Sequence, residues 1–111
     1  MFVRIYTGDD GQSHLEQMEL PAEGLHRVAT KAGEDLVFRK SVENSFSDWH
    51  NPSRRQYLFI VDGRMEVSVA DGTAMQFGPG DVLLAEDMTG QGHVTKSIGG
   101  TYTSVSMGIP D

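Results

Sequence analysis

Apolar and polar residues alternate most clearly in the middle of the chain. Residues 56–61 form a β-branched and aromatic run, and residues 64–70 form a second run with its apolar side chains on one face. Asp62-Gly63 joins the two, and an Asp-Gly pair between apolar runs is typical of a tight hairpin turn. A second pair, Asp71-Gly72, leads into residues 73–77. The pattern predicts three adjacent antiparallel strands.

Turn residues divide the rest of the chain into further short runs. Gly78-Pro79-Gly80-Asp81 must end a strand, because proline cannot donate to a β-ladder and glycine permits a sharp turn. Residues 86–92 read as a loop. Further strands are predicted over residues 1–6, 36–43, 82–85, 93–96 and 101–107.

Residues 8–33 carry the least regular pattern. Within them, residues 14–20 fit either a strand or a short helix, and we favour a strand because everything around them is β. About nine short strands predict an all-β chain that closes or packs as an antiparallel barrel, since open sheet edges invite aggregation.

Composition narrows the class of protein. The 111 residues suit a single domain, and the absence of cysteine excludes disulfides and thiolate metal sites. The net charge of −7 disfavours nucleic acid as a partner. We see neither a signal-peptide pattern nor an apolar run long enough to cross a membrane, so we expect a soluble cytoplasmic protein.

Two spaced motifs lie between Trp49 and His93. In the first, His50 precedes Gln56, and six residues separate Gln56 from Gly63. In the second, a Gly-Asp turn and a strand precede Gly90-Gln91-Gly92-His93. His14 and His26 match neither motif and are expected at the surface.

These motifs resemble those of the cupin superfamily. There, a glycine, His-x-His, a glutamate and a closing glycine form the first motif, and a Gly-x-x-His step forms the second. His50, Gly63 and His93 match this pattern. Three positions depart from it: Asn44 replaces the opening glycine, Pro52 the second histidine and Gln56 the glutamate.

The resemblance implies a single-domain, cupin-type jelly-roll β-barrel over residues 1–111 that forms a homodimer. It also implies that His50 and His93 converge and hold a divalent ion, such as Fe, Mn, Zn or Ni, with Gln56 as third ligand. Because Gln56 offers only a neutral oxygen, its affinity for a divalent ion is weaker than that of a glutamate. Gln56 is equally interpreted as a substrate anchor, or as an inward polar side chain paired to a neighbouring strand.

Four other residues are candidates for the site. Trp49 and Tyr57 are suited to shape a pocket, although burial in the core or at a dimer interface explains them equally well. Glu86 and Asp87 are candidate catalytic proton carriers. Alternatively, one of them is a replacement metal ligand, or both are loop acids that cap a turn or face solvent. Neighbouring residues on a strand point to opposite faces, so at most one of these two acids faces inward.

Two functions follow as hypotheses. The first is a metal-dependent enzyme, of oxygenase, isomerase or lyase type, acting on a small polar or acidic molecule. The second is a metal-free module that binds a small ligand without chemistry. A structural or partner-binding domain is a third possibility. Residues 57–61 are apolar on both faces of one strand, which favours coverage on both sides and supports a homodimer.

Overall fold

The structure is a computed structural model that describes residues 1–19 and 22–111. Within those residues it contains strands and no helix, so the all-β prediction is confirmed. Leu20, the last residue of the predicted element over 14–20, lies outside the described residues. The strands are β1 (Phe2–Thr7), β2 (Ser13–Met18), β3 (Leu36–Lys40), β4 (Phe46–His50), β5 (Gln56–Ser68), β6 (Ala74–Phe77), β7 (Val82–Glu86) and β8 (His93–Gly108).

The strands belong to one mixed sheet in the order β2-β1-β7-β5-β8-β3, with β4 added to β8 and β6 added to β5. β1 pairs with β7 in parallel, and the other pairs are antiparallel. The sheet does not close on itself, which differs from the predicted closed antiparallel barrel. β3 and β4 both pair with β8, at opposite ends of that long strand.

The predicted hairpin at Asp62-Gly63 is wrong. β5 runs unbroken through this pair, and its register against β8 shifts on both sides of it. Gly63 has a φ of 75°, and a Cβ there would lie 2.2 Å from the carbonyl oxygen of Thr101. A glycine with positive φ serves a β-bulge as well as a hairpin turn, so the sequence signal is the same for both. The bulge bends β5 instead of reversing it.

β8 is likewise one strand, although two were predicted over 93–96 and 101–107. The strand passes through Gly99 and Gly100, beside the bulge in β5, where its register also shifts. The turn at Asp71-Gly72 is confirmed: it joins β5 to β6 as an antiparallel pair.

The core lies on the inner face of the bent sheet. Met65 and Val67, predicted to share a face of β5, are both buried, and they pack with Val3, Ile5 and Phe77. Residue alternation places Leu58 and Ile60 on this inner face and their neighbours on the outer face. The inner face continues across β3, β8 and β5 at the end of the sheet away from β6, and this end forms the site described below.

No helix among the described residues is long and apolar enough to span a membrane.

Candidate functional site

His50 and His93 lie side by side at the end of β4 and the start of β8. They are paired across the two strands, and their ring centroids are 4.5 Å apart. Gly92 permits this approach, because its φ is 79° and a Cβ there would lie 2.0 Å from the carbonyl oxygen of His50. The predicted convergence of the two rings is therefore present.

His93 is held from one side by a buried carboxylate. Its Nδ1 lies 2.6 Å from Oδ2 of Asp87, and the hydroxyl of Ser13 donates to the same oxygen at 2.6 Å. His93 is 4% exposed and Asp87 is fully buried. The Nδ2 amide of Asn51 donates to the carbonyl oxygen of Asp87 at 2.8 Å, which ties the segment after β7 to the end of β4.

In both imidazoles Nδ1 contacts a protein oxygen, and Nε2 is the nitrogen without such a contact among the described residues. Nδ1 of His50 lies 2.7 Å from the carbonyl oxygen of Asp48, and a carbonyl can only accept. Oδ2 of Asp87 also accepts from the hydroxyl of Ser13, so the geometry assigns an Nδ1 proton to each ring, and a neutral ring then keeps its lone pair on Nε2. Such an anchored Nδ1 is the usual arrangement of a histidine whose Nε2 binds a metal or a ligand.

Gln56 does not complete a metal site. Its Oε1 accepts a hydrogen bond from Nε of Arg54 at 3.1 Å, so the predicted third donor already faces a positive charge. No group of three or more His, Asp, Glu or Cys side chains suited to a metal ion occurs in the part of the chain that the structure describes. Among the described residues, the two imidazoles are therefore the candidate donors that remain for a divalent ion.

Glu86 and Asp87 point to opposite faces, and only Asp87 reaches the histidines. Glu86 accepts hydrogen bonds from Arg4 and from Nε of Arg55, the latter at 2.7 Å. Burial by itself would raise the pKa of Glu86, but the bonds from the two guanidinium groups outweigh it and hold the pKa below its ordinary value. An ionised, doubly paired carboxylate does not support the predicted role of Glu86 as proton carrier.

Trp49 and Tyr57 are not brought to the histidine pair. Trp49 is 41% exposed and does not line the cavity beside His50. Tyr57 points to the outer face of β5, where it lines a separate apolar cavity with Phe2 and Phe59. The alternation along β5 explains this, since it gives Gln56 and Tyr57 opposite faces.

A cavity of about 310 Å³ adjoins His50 on the inner face of β3, β5 and β8. Cross-strand pairing sets two rows of its lining, Val37 beside Ser106 and Leu58, and Arg39 beside Ser104. His93 and Asp87 do not line the cavity, and His93 contacts it through its neighbour His50. The lining residues are Val37, Arg39, His50, Asn51, Pro52, Ser53, Arg54, Gln56, Leu58, Tyr102, Ser104 and Ser106.

Among these lining residues, sequence reasoning named His50 and Gln56 as site residues, and it interpreted Arg54 with Arg55 as a basic pair that is either solvated or lines a pocket mouth. A signal was present in β8, where Ser104 and Ser106 alternate with Val105 and Met107. That alternation indicates a strand whose inner face is polar, as expected next to a cavity. Arg39 carried no comparable signal, because an arginine that lines a cavity looks the same in a sequence as one on the surface.

No protein-family model and no curated protein matches this chain. Among solved structures, the chain is similar to the crystal structure of protein NMB1881 from Neisseria meningitidis. The two share 18% sequence identity with a TM-score of 0.52, over 82% of this chain and 89% of that one. At this identity the likeness concerns the fold alone.

Proposed function

We propose that the chain is a cupin-type, small-ligand-binding protein that holds its ligand, without a resident metal, in the cavity beside His50. The observation that carries the proposal is the cavity itself, which is concave, lies next to the two motif histidines and combines apolar walls with polar groups. Ligand sites in proteins have this character. The jelly-roll assignment belongs to the same proposal and is supported by the positions of His50 and His93 on paired strands.

The chemistry of the donors favours ligand binding over metal binding. A divalent ion held by protein side chains usually gains a carboxylate that balances its charge. Here the position equivalent to that carboxylate is an amide bonded to Arg54, and a second guanidinium, that of Arg39, lines the same cavity. The guanidinium of Arg54 thus occupies the amide oxygen of Gln56, and the guanidinium of Arg39 repels a cation and attracts an anion.

A library of small neutral, cationic and anionic molecules tests the proposal, with thermal unfolding of the protein as the measurement. Ligands that bind the cavity raise the unfolding temperature. Val37 lines the cavity from an edge strand, so Val37→Trp should fill the space and abolish these shifts. Val42→Trp makes the same change at an exposed position away from the cavity and should leave them intact. Shifts that persist in Val37→Trp would contradict the proposal.

One observation favours a second function, a metal-dependent enzyme. His50 and His93 are 4.5 Å apart with both Nδ1 atoms anchored, which leaves two Nε2 atoms for Fe, Mn, Zn or Ni. In that function Asp87 orients His93, and its catalytic role stays a prediction.

Metal analysis of untagged protein separates the two functions. Stoichiometric metal that is lost in His50→Ala and His93→Ala, but kept in His14→Ala, supports the metal-dependent function and refutes a metal-free cavity. Background metal that is the same in all four proteins supports the cavity proposal.

We also propose that the chain forms a homodimer through the outer face of its sheet. Directly opposed residues share a face, so the registers of five neighbouring strands define one apolar row, here called the outer strip. Phe38 within it is 72% exposed and Phe59 is 39% exposed. A second copy presents the same strip, and an isologous contact covers both. The outer strip consists of Phe38, Val105, Phe59, Val82 and Phe2.

A further inference from the structure

The cavity beside His50 has a charge of opposite sign to the rest of the molecule. The chain contains 16 acidic residues against 9 lysines and arginines, and its net charge is −7. Yet Arg39 and Arg54 line the cavity, and the described lining includes neither aspartate nor glutamate. A concave site concentrates the field of such charges, so this cavity attracts anions in a protein that otherwise repels them.

The two arginines differ in how far their charge is balanced. Arg54 is 13% exposed in its side chain, donates to Glu34 at 3.1 Å and also contacts Gln56 and Ser106. Its guanidinium is therefore fixed and largely neutralised by the protein. Arg54 therefore forms part of the cavity wall and is not the group that we expect to bind a ligand.

Arg39 has no such partner. Within residues 1–19 and 22–111, no carboxylate lies within 4.0 Å of its guanidinium, whereas Arg4 and Arg55 share Glu86. Arg39 stands on β3 opposite Ser104 and is exposed at the rim of the cavity. A planar guanidinium without a partner offers paired N–H donors that match the two oxygens of a carboxylate.

The rest of the lining suits the body of a small acid. Val37, Pro52 and Leu58 provide apolar surface, and Ser104 provides a neutral hydroxyl. The volume of about 310 Å³ lies at the lower end of the range for ligand sites. Nε2 of His50, which has no protein partner among the described residues, is a further polar contact.

We propose that the cavity binds a small organic carboxylate, with the carboxylate group paired to Arg39 and the apolar body against Val37 and Leu58. This inference rests on the proposed ligand-binding function and adds the chemical class of the ligand.

Calorimetric titration at low ionic strength tests it with four carboxylates, namely acetate, benzoate, succinate and 2-oxoglutarate, at up to millimolar concentration. Benzamide and benzylamine replace the carboxylate of benzoate by a neutral and a cationic group, and inorganic phosphate is a second oxyanion. We expect at least one carboxylate to bind, and its amide or amine counterpart to bind at least about tenfold more weakly.

Arg39→Gln should weaken the binding of that carboxylate by at least about tenfold, because one charge-assisted hydrogen-bonded pair is lost. Lys40→Gln is the matched control: it removes the same charge from the next residue of β3, which faces the other side of the sheet. Equal losses in both variants would show a general charge effect and overturn the inference.

The outcomes separate this inference from the proposed function. Suppose that neutral library members bind and that Val37→Trp blocks their binding. If all four carboxylates then fail to bind, or bind Arg39→Gln as tightly as the wild-type protein, the ligand class is wrong and the cavity proposal stands. If phosphate binds and no carboxylate does, the inference is also overturned. If no molecule of any class binds, both fail.

Discussion

Asp87 accepts two hydrogen bonds on one oxygen, from Nδ1 of His93 and from the hydroxyl of Ser13, at the fully buried end of the site. Its other oxygen, Oδ1, is buried and has no hydrogen-bond partner among the described residues. Burying a carboxylate is costly unless its partners are well placed, so this contact must hold His93 in one orientation. The orientation of His93 in turn places the ring against His50.

Replacing Asp87 by alanine should destabilise the protein markedly. The change leaves Nδ1 of His93 and the hydroxyl of Ser13 buried without an acceptor, and each such group costs about 1–3 kcal/mol. We expect a loss of roughly 2–5 kcal/mol in the free energy of unfolding, measured with urea. Asp35→Ala changes an exposed acid whose side chain has no salt bridge or hydrogen bond within residues 1–19 and 22–111, and it should change this free energy by less than about 0.5 kcal/mol. Equal effects of the two substitutions would refute the role of Asp87.

Long-range proton–nitrogen NMR of the histidine side chains checks the orientation directly. In the wild-type protein His50 and His93 should both show the tautomer with the proton on Nδ1, because that atom faces an acceptor in each. A ring that carries its proton on Nε2 and none on Nδ1 would contradict the assigned geometry.

Glu86 should make stability depend on pH in the acid range. The pKa of Glu86 in the folded protein is below its ordinary value. Its contribution to the free energy of unfolding is therefore present above about pH 4.3 and is lost as the pH falls through the folded pKa. Glu86→Gln should therefore cost about 2 kcal/mol at neutral pH, and the difference from wild type should shrink in acid.

Urea unfolding at a series of pH values measures this difference. Glu16→Gln is the control, because Glu16 approaches Arg4 only at 4.0 Å and is half exposed. A gap between wild type and Glu86→Gln that stays constant from neutral to acid conditions would count against the ion pair.

Gly63→Ala should destabilise the bend in β5. The new Cβ would overlap the carbonyl oxygen of Thr101, and the positive φ adds a backbone cost, so we expect roughly 2–4 kcal/mol. Gly72→Ala has the same backbone cost but open space around the new Cβ, and should lose only about 1 kcal/mol. Thermal unfolding of both variants compares the two costs. If Gly63→Ala is no worse than Gly72→Ala, the close contact with β8 is not present in solution.

Light scattering tests the homodimer. We expect a mass of twice 12.2 kDa for the wild-type chain. Phe38→Asp or Phe59→Asp, which place a charge in the outer strip, should yield monomers. Phe46→Asp changes a phenylalanine that is 63% exposed on β4, outside the strip, and should stay dimeric. A wild-type mass of one chain would remove the proposal.

Much of the strand content could be predicted from local patterns. Alternation located β6 and β7 within a few residues and identified the two halves of β5, and the faces of Met65 and Val67 followed from it. Strand connectivity was harder, because Asp62-Gly63 and Asp71-Gly72 carry the same turn chemistry. One became a bulge and the other a hairpin, and the difference lies in β8, whose backbone packs on Gly63 from about forty residues away.

The site shows the same division. The motif positions indicated that His50 and His93 converge. Strand geometry predicted that only one of Glu86 and Asp87 faces inward, and Asp87 is the one that contacts His93. The partners of Glu86 come from β1 and from Arg55, and no local pattern names them. Arg39 enters the cavity only because β3 pairs with β8, which is a property of the whole sheet.

The pairing of β5 with β8 has a consequence for synthesis of the protein. Gln56 pairs with Gly108 and Ser68 with Val94, so the central strand finds its partner only after the ribosome has released both. Until then the nascent chain presents an apolar strand with an unpaired edge, the form most prone to association with other chains. Pairings this distant along the chain place folding in the slow regime of β proteins, milliseconds to seconds.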